Sequence, residues 1–369
     1  MRIWLRIAIS SLIFSSLTLA GVAHAAADPS RMQQYRLEKN DTGYRLALRE
    51  TTVPAPAAHE VLVRVRAASL NRRDLLVRSG QYGGGADMNG IIPLSDGAGE
   101  VTAIGTGVTR FKPGDRVAAT FFQGWISGKA DAHTAATALG GAVDGMLSEY
   151  VVLNEDGLVR FPEFLSFEEA ATLPCAAVTA WNGLFTRGNL QLDEIVLLEG
   201  TGGVSIFGLQ FALAAGAKAI ITSSSDAKLE RAKQLGAWQT VNYRTTPDWD
   251  KTVMQLTGGH GVDQILEVGG ESTLPKVLAI LAIDAHVAYI GGLSGWGAQI
   301  PAAVLPFRNA QVSGIYVGSR ADFEAMNAFL ARHRLKPVID RVFDFADAAA
   351  AYQYMESGNH FGKIVIRLP

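Results

Sequence analysis

The sequence holds a single cysteine, Cys175, in 369 residues. One thiol excludes an intramolecular disulfide and any zinc site built from clustered thiolates. A basic excess is also lacking: 33 Lys and Arg face 35 Asp and Glu, for a formal charge of -2. Nucleic-acid binders concentrate cations on one face, so nucleic acid is not an expected partner. No repeat of 20 to 50 residues and no low-complexity linker is present, and beyond the N-terminus no apolar run suffices to span a membrane. What remains is an ordinary globular composition, 48% hydrophobic and 18% charged, in a chain long enough for two domains.

The N-terminus stands apart. Arg2 and Arg6 precede an apolar stretch from Ile7 to Val22, and Ala23-His24-Ala25 follows. That order predicts a cleavable secretory signal over 1–25, cut after Ala25. The alternative is an uncleaved anchor, but the stretch is broken by serines and falls short of the ~20 apolar residues of a spanning helix. The expected location is exported and periplasmic, or cytoplasmic if the signal is not used, with no membrane segment in the mature chain.

In "EVLVRVRAASL", 60–70, Val61, Val63 and Val65 alternate with Leu62, Arg64 and Arg66, the period of a strand with one buried face. Strands also read in "GEVTAIG", "DRVAATFF" and "SEYVVL", with a turn at "KPGD". A β-rich first domain is expected over about 32–160. Helix begins near Glu168, and from Glu194 strands and helices alternate, which predicts a doubly wound parallel sheet over 161–317. A helix is expected near 272–281 and another near 322–333. The tail, 318–369, closes with the strand "GKIVIRL" and is expected to complete the first domain. The segment 123–145 has no clear period.

"LLEGTGGVSIFGLQ" places Gly200, Gly202 and Gly203 between a strand and a helix. Residues without side chains let backbone N–H groups approach a pyrophosphate, whose charge the helix N-terminus favours. Ser205 stands where the third glycine of a dinucleotide fingerprint would fall. The next strand, Ala219 to Thr222, ends in Ser223, Ser224 and Ser225, with Lys228 and Arg231 beyond, rather than in an acid for a ribose 2'-hydroxyl. Hydroxyls and cations suit a 2'-phosphate, so NADP(H) is preferred over NAD(H). Two alternatives stay open: the serines cap a helix whose bases form a solvated face, or Asp226 does the work of the acid.

Together "AASLNRRDLLVRSGQY", "IPLSDGAGEVTAIGTGVTRFKPGDRV", "LPCAAVTAWNGL", "EGTGGVS", "VGG", "YIGG" and "FGKIVI" resemble the medium-chain dehydrogenase/reductases, and more closely their zinc-free, quinone oxidoreductase-like branch. The resemblance covers about 32–369. It implies a GroES-like, partly open β-barrel domain completed by the C-terminal segment, a Rossmann domain, and a nicotinamide in the cleft between them. By position it implies Thr179 near the nicotinamide, and Gly202, Gly203 and Val204 against the pyrophosphate. Ser223, Ser224, Lys228 and Tyr243 would surround the adenosine ribose phosphate. Gly269, Gly291 and Gly292 would border the cleft, and Lys363 matches the closing Gly-Lys pair. A homodimer through the edge of the dinucleotide sheet is also implied.

Zinc members of the family place a cysteine at Asn71, a His-Glu pair at Ser95-Asp96 and a further ligand at Cys175. A catalytic zinc needs three protein ligands and an open position, so no metal is expected. A rescue by His133 is not expected, since a lone loop histidine is usually surface. Cys175 reads as a buried structural thiol. Without metal, the oxyanion left by hydride transfer needs hydrogen-bond donors. Asn71 and Thr179 are the expected ones, with Tyr82 and Ser95 as weaker additions, and Arg72, Arg73 and Asp74 read as a surface helix start. The expected activity is NAD(P)H-dependent, zinc-independent reduction of a quinone, enone or activated carbonyl. The alternatives are a zinc-free alcohol or aldehyde dehydrogenase and a non-catalytic NADPH-binding sensor.

Overall fold

A computed structural model describes residues 30–369, apart from residue 302; the export signal expected over 1–25 lies outside the described residues. The chain opens with an antiparallel hairpin, β1 (Arg31–Asn40) and β2 (Gly43–Thr52). The strands β3 (Glu60–Leu70), β4 (Asp96–Ile104), β5 (Arg116–Ala119), β6 (Tyr150–Asn154) and β7 (Leu158–Arg160) follow. The second sheet holds β8 (Ile195–Leu198), β9 (Lys218–Ser223), β10 (Gln239–Asn242), β11 (Val262–Glu267), β12 (Leu281–Tyr289) and β13 (Gln311–Gly314). The tail adds β14 (Ile339–Asp344) and β15 (Lys363–Arg367).

The first sheet runs β14-β15-β3-β4-β5-β7, so two strands of the tail lie within it. One edge of β3 is shared: residues 60–64 pair with β6 and residues 67–70 with β15. This corrects the simple alternation expected of 60–70. Val61, Val63 and Val65 are buried and Arg64 and Arg66 half-buried, but everything from Ala67 to Leu70 is buried. There β3 and β15 lie between the helices Phe167–Ala170 and Ala348–Glu356, which cover both faces of the sheet.

The second sheet is wholly parallel, in the order β10-β9-β8-β11-β12-β13. The order reverses between β8 and β11, and ligands of doubly wound sheets sit at the carboxyl ends of the strands at that point. The helix expected near 272–281 is shorter, Leu274–Ala279, because Leu281 already pairs with Val262 in β12. That expected near 322–333 spans Arg320–His333. The helix Trp249–Leu256, the helix Ala348–Glu356 and the first hairpin are additional elements.

The helical stretch after Ser166 is irregular. Ser166 caps it, its hydroxyl accepting the Glu169 N–H at 3.1 Å while the Glu169 carboxylate accepts the Ser166 N–H at 2.7 Å. Two π-helical segments, Leu173–Ala177 and Asn182–Arg187, then flank the α-turn Val178–Trp181. Such wide turns concentrate at functional sites. Here they carry Cys175 and Thr179 to the joint between the sheets. One apolar cluster spans that joint, from Ala67, Phe121 and Phe122 to Phe207, Phe211 and Phe361. Among the described residues no helix is long and apolar enough to cross a membrane.

Candidate active site

The carboxyl end of β8 leads into a turn and then into the helix Gly203–Ala214. Gly200 sits at φ +71°, a conformation costly for other residues. A side chain at Gly200 or Gly202 would meet no protein atom within 4 Å, so the turn leaves open space beside the helix N-terminus. On the other side it is closed: a Cβ at Gly203 would lie 2.7 Å from Lys363 Cδ, and the Gly362 N–H donates to the Thr201 carbonyl at 2.9 Å. Ser205, the departure from the fingerprint, is buried, and its hydroxyl donates to the Glu199 carbonyl at 2.6 Å. Val204 is half-buried. Gly269, Gly291 and Gly292 follow β11 and β12 at the same sheet edge, which makes this edge suited to a dinucleotide.

At the end of β9, Ser223 is buried and its hydroxyl accepts the Ser225 N–H at 3.3 Å. Ser224 is half-buried beside it, and Ser225 caps the helix Asp226–Gln234. Tyr243 is exposed, and its N–H donates to the Ser223 carbonyl at 3.1 Å, so the two lie together. Lys228 is half-buried and Arg231 is exposed. Lys228 Nζ donates to the Gly358 carbonyl at 2.6 Å, and Arg231 pairs with Asp340 at 2.8 Å and covers the Phe361 ring. Asp226 is engaged too, accepting from Asn242 Nδ2 at 2.7 Å. Burial above all, then Lys228 and Lys363, pushes the His360 imidazole down to about 4.

The positions 71, 95–96 and 175 converge, and a lysine stands among them. Lys363 Nζ donates at 2.6 Å to the Leu70 carbonyl and at 2.6 Å to Asn71 Oδ1, and lies 3.7 Å from Asp96 Oδ2. It is only 3% exposed. Asp96, fully buried, accepts from the Ser95 hydroxyl at 2.8 Å and from the Cys175 N–H at 3.2 Å. Asn71 Nδ2 turns toward Asp96 without reaching good hydrogen-bond geometry. Burial pushes the Asp96 carboxyl up against the pull of Lys363, and burial with Asp96 beside it pushes the Cys175 thiol up. Cys175 is half-buried rather than fully buried as expected. Asp96 and Cys175 are the only zinc-type donors among these positions, beside an amide, a hydroxyl and the buried Lys363 amine, and a catalytic zinc takes three protein ligands. His133 is exposed, and among the described residues no group of three or more His, Cys, Asp or Glu could hold a metal ion.

The expected surface helix start is corrected. Arg72 is exposed, but Arg73 and Asp74 are buried, because the helix Arg72–Arg78 turns its first residues into the domain. Asp74 accepts the Asn71 N–H at 2.7 Å, and burial pushes its carboxyl up to about 6 despite Arg73. The Arg73 guanidinium donates to the Leu139 carbonyl at 2.9 Å and lies 4.6 Å from the Tyr82 ring centre and 4.8 Å from that of Phe121. Tyr82 and Tyr316 join through their hydroxyls at 2.6 Å, and Phe122 packs edge-on against Tyr316 at 4.7 Å. Burial, then the Tyr82 hydrogen bond, pushes the Tyr316 phenol up. Tyr316, Phe121 and Phe122 had no sequence signal of function, since aromatic residues in apolar runs read as core. Thr179 is buried, and among the described residues its hydroxyl has no hydrogen-bond partner.

Residues 57–163 match the alcohol dehydrogenase GroES-like domain family and residues 203–332 the zinc-binding dehydrogenase family. A zinc-type alcohol dehydrogenase-like protein of Schizosaccharomyces pombe is 46% identical over 316 residues, 84% of this chain and 91% of that protein. The chain belongs to the medium-chain dehydrogenase/reductase superfamily. A quinone oxidoreductase of Pseudomonas aeruginosa is 31% identical, covering 87% of this chain and 95% of its own length. A solved NAD-dependent alcohol dehydrogenase, 33% identical, superposes with a TM-score of 0.81 over 91% of this chain and all of that one, 100%. The two-domain fold, GroES-like and Rossmann, is the fold of this superfamily, and the chain is an oxidoreductase of the alcohol dehydrogenase and quinone oxidoreductase type.

Proposed function

We propose that the enzyme is an NADP(H)-preferring, zinc-independent oxidoreductase that delivers hydride to a quinone, an enone or a similarly activated carbonyl. The observation that carries this reading is the Lys363 ammonium at the family's metal-ligand positions, held by Leu70, Asn71 and Asp96. A conjugated acceptor spreads the charge that hydride brings, so a few hydrogen-bond donors suffice in place of a metal. Of the two expected donors we favour Thr179, because Asn71 Oδ1 is taken by Lys363 and the Asn71 Nδ2 is buried. The Tyr82–Tyr316 hydroxyl pair and the aromatic rings around it suit a flat, conjugated substrate.

Bound coenzyme would lie along Gly200, Gly202, Gly203 and Val204, with Gly269, Gly291 and Gly292 bordering it. Its 2'-phosphate would meet Ser223, Ser224, Lys228 and Tyr243 at the end of β9. The group would supply the hydride, and these residues would hold it in position.

The test is oxidation of NADPH and NADH side by side, with quinones, enones and aldehydes, with and without a chelator. NADPH turnover with the conjugated acceptors, unchanged by chelation, is expected; preference for NADH or loss of activity on chelation overturns the reading. Replacing Lys228 by Ala is expected to raise the KM for NADPH by about tenfold, the worth of one charge-assisted hydrogen bond, and to leave that for NADH unchanged. A second reading is oxidation of alcohols, to which the similarity to the zinc-type alcohol dehydrogenase-like protein of Schizosaccharomyces pombe points; we infer that it too would run without zinc, and alcohols in the same panel, with and without chelator, decide it.

A homodimer through β13 belongs to the same proposal: β13 is an edge strand, and Ile283 and Phe307 near it are 59% and 83% exposed. Light scattering checks it. Export through the segment 1–25 is likewise proposed, and cell fractionation checks it.

A further inference from the structure

Two carboxyl groups stand side by side at the point where the parallel sheet reverses its order. Leu198 of β8 is in register with Leu266 of β11, so the next residues, Glu199 and Glu267, end neighbouring strands together. They are 5% and 0% exposed. Each spends one oxygen on a loop of the coenzyme edge. Glu199 Oε2 accepts the N–H groups of Val268 and Gly269, both at 3.1 Å. Glu267 Oε1 accepts the Gly270 N–H and the Thr273 hydroxyl, both at 2.7 Å. The other oxygens, Glu199 Oε1 and Glu267 Oε2, are buried with no donor, and the two side chains lie within hydrogen-bonding reach of each other.

Among the described residues neither carboxyl is paired to a cation. The groups around them are the Ser205 hydroxyl from the helix Gly203–Ala214, the Thr273 hydroxyl, and the Tyr289 phenol of β12, which Glu267 helps to push up. Two unpaired carboxylates cannot both stay ionised in such a place; one proton held between them removes both the repulsion and the missing donor.

We propose that Glu199 and Glu267 share a single proton, that this proton ties the loop 268–270 to the glycine turn, and that dinucleotide binding is lost when it leaves. The inference rests on the coenzyme reading above. Glu199 is a positioning residue: it acts through the amides of Val268 and Gly269. A second negative charge beneath the turn would also oppose the pyrophosphate.

The direction of the pH dependence follows from burial and from the neighbouring Glu267, which hold the Glu199 carboxyl well above its ordinary range. The folded protein then keeps a proton that the unfolded chain has released. Stability is greatest below the ordinary carboxyl range and declines as pH rises toward the folded value.

Glu199→Gln supplies the shared hydrogen permanently: its carbonyl can accept from Val268 and Gly269 and its amide can donate to Glu267. Thermal midpoints without coenzyme and dissociation constants for NADPH and NADH, measured from pH 5 to 10, test the idea. The wild-type midpoint is expected to fall with rising pH relative to that of E199Q. Wild-type affinity is expected to weaken by up to about tenfold per pH unit once the proton is lost, while E199Q stays level. Glu267→Gln is expected to flatten both curves in the same way. Parallel curves for wild type and both variants overturn the proposal, as does failure of both isosteric variants to fold. If no dinucleotide binds at any pH the coenzyme reading fails, while the melting curves still decide the shared proton.

Discussion

The glycine turn and the Lys363 cluster touch one another, yet they treat charge in opposite ways. At Gly200 and Gly202 the backbone leaves space that no protein atom fills, and the first N–H groups of the helix Gly203–Ala214 face it without side-chain partners. Around Lys363 the space is full: an ammonium and the Asp96 carboxylate are desolvated, within 3.7 Å of each other, and tied to Leu70, Asn71, Ser95 and Cys175. One region presents helix N–H groups without side-chain partners, and the other already contains its counter-charge. An open site tolerates a change of its own residues in folding and loses binding; a closed one loses folding.

The strongest way to break this contrast is Lys363→Met. It leaves Asp96 buried without its cation, and is expected to cost about 3–5 kcal/mol in denaturant unfolding at neutral pH. The loss should shrink as pH falls, because burial already raises the Asp96 carboxyl and a protonated Asp96 needs no partner. Adding Asp96→Asn to that variant is expected to restore most of the stability; no recovery would show that Lys363 matters for packing alone.

Neighbouring glycines sharpen the same comparison. Gly203→Ala sets a methyl against Lys363 Cδ and Ala176 Cβ, at 2.7 and 3.0 Å before relaxation, and is expected to cost about 1–3 kcal/mol. Gly202→Ala meets no protein atom. It should change stability by less than about 1 kcal/mol and weaken dinucleotide binding, read by titration calorimetry, by about tenfold or more. Equal effects of the two substitutions on stability would remove the distinction.

The smallest effect is expected at Tyr316, in the aromatic cluster proposed to face the substrate. Tyr316→Phe deletes the hydroxyl bonded to Tyr82 and keeps the ring that packs on Phe122. A loss of about 1 kcal/mol, or roughly fivefold in kcat/KM for the acceptor with coenzyme affinity unchanged, is expected from steady-state kinetics.

Much of this molecule is decided by local pattern. The alternation of strands and helices after Glu194, the glycines between β8 and its helix, and the serines ending β9 are legible in the chain, because period, turn and cap are set by neighbours in sequence. The lack of a cysteine at 71 and of a histidine at 95 is equally plain in the sequence. What occupies that place is not, since Lys363 reaches Asn71 from 292 residues away through the pairing of β15 with β3. The same holds for Arg73 and Asp74, whose charges signal surface until the fold buries them. It holds for Glu199 and Glu267, two ordinary acids until the register of β8 against β11 sets them together. Composition and spacing determine which groups a chain owns; only packing, through desolvation and long-range contact, determines which of them must share a proton or a charge.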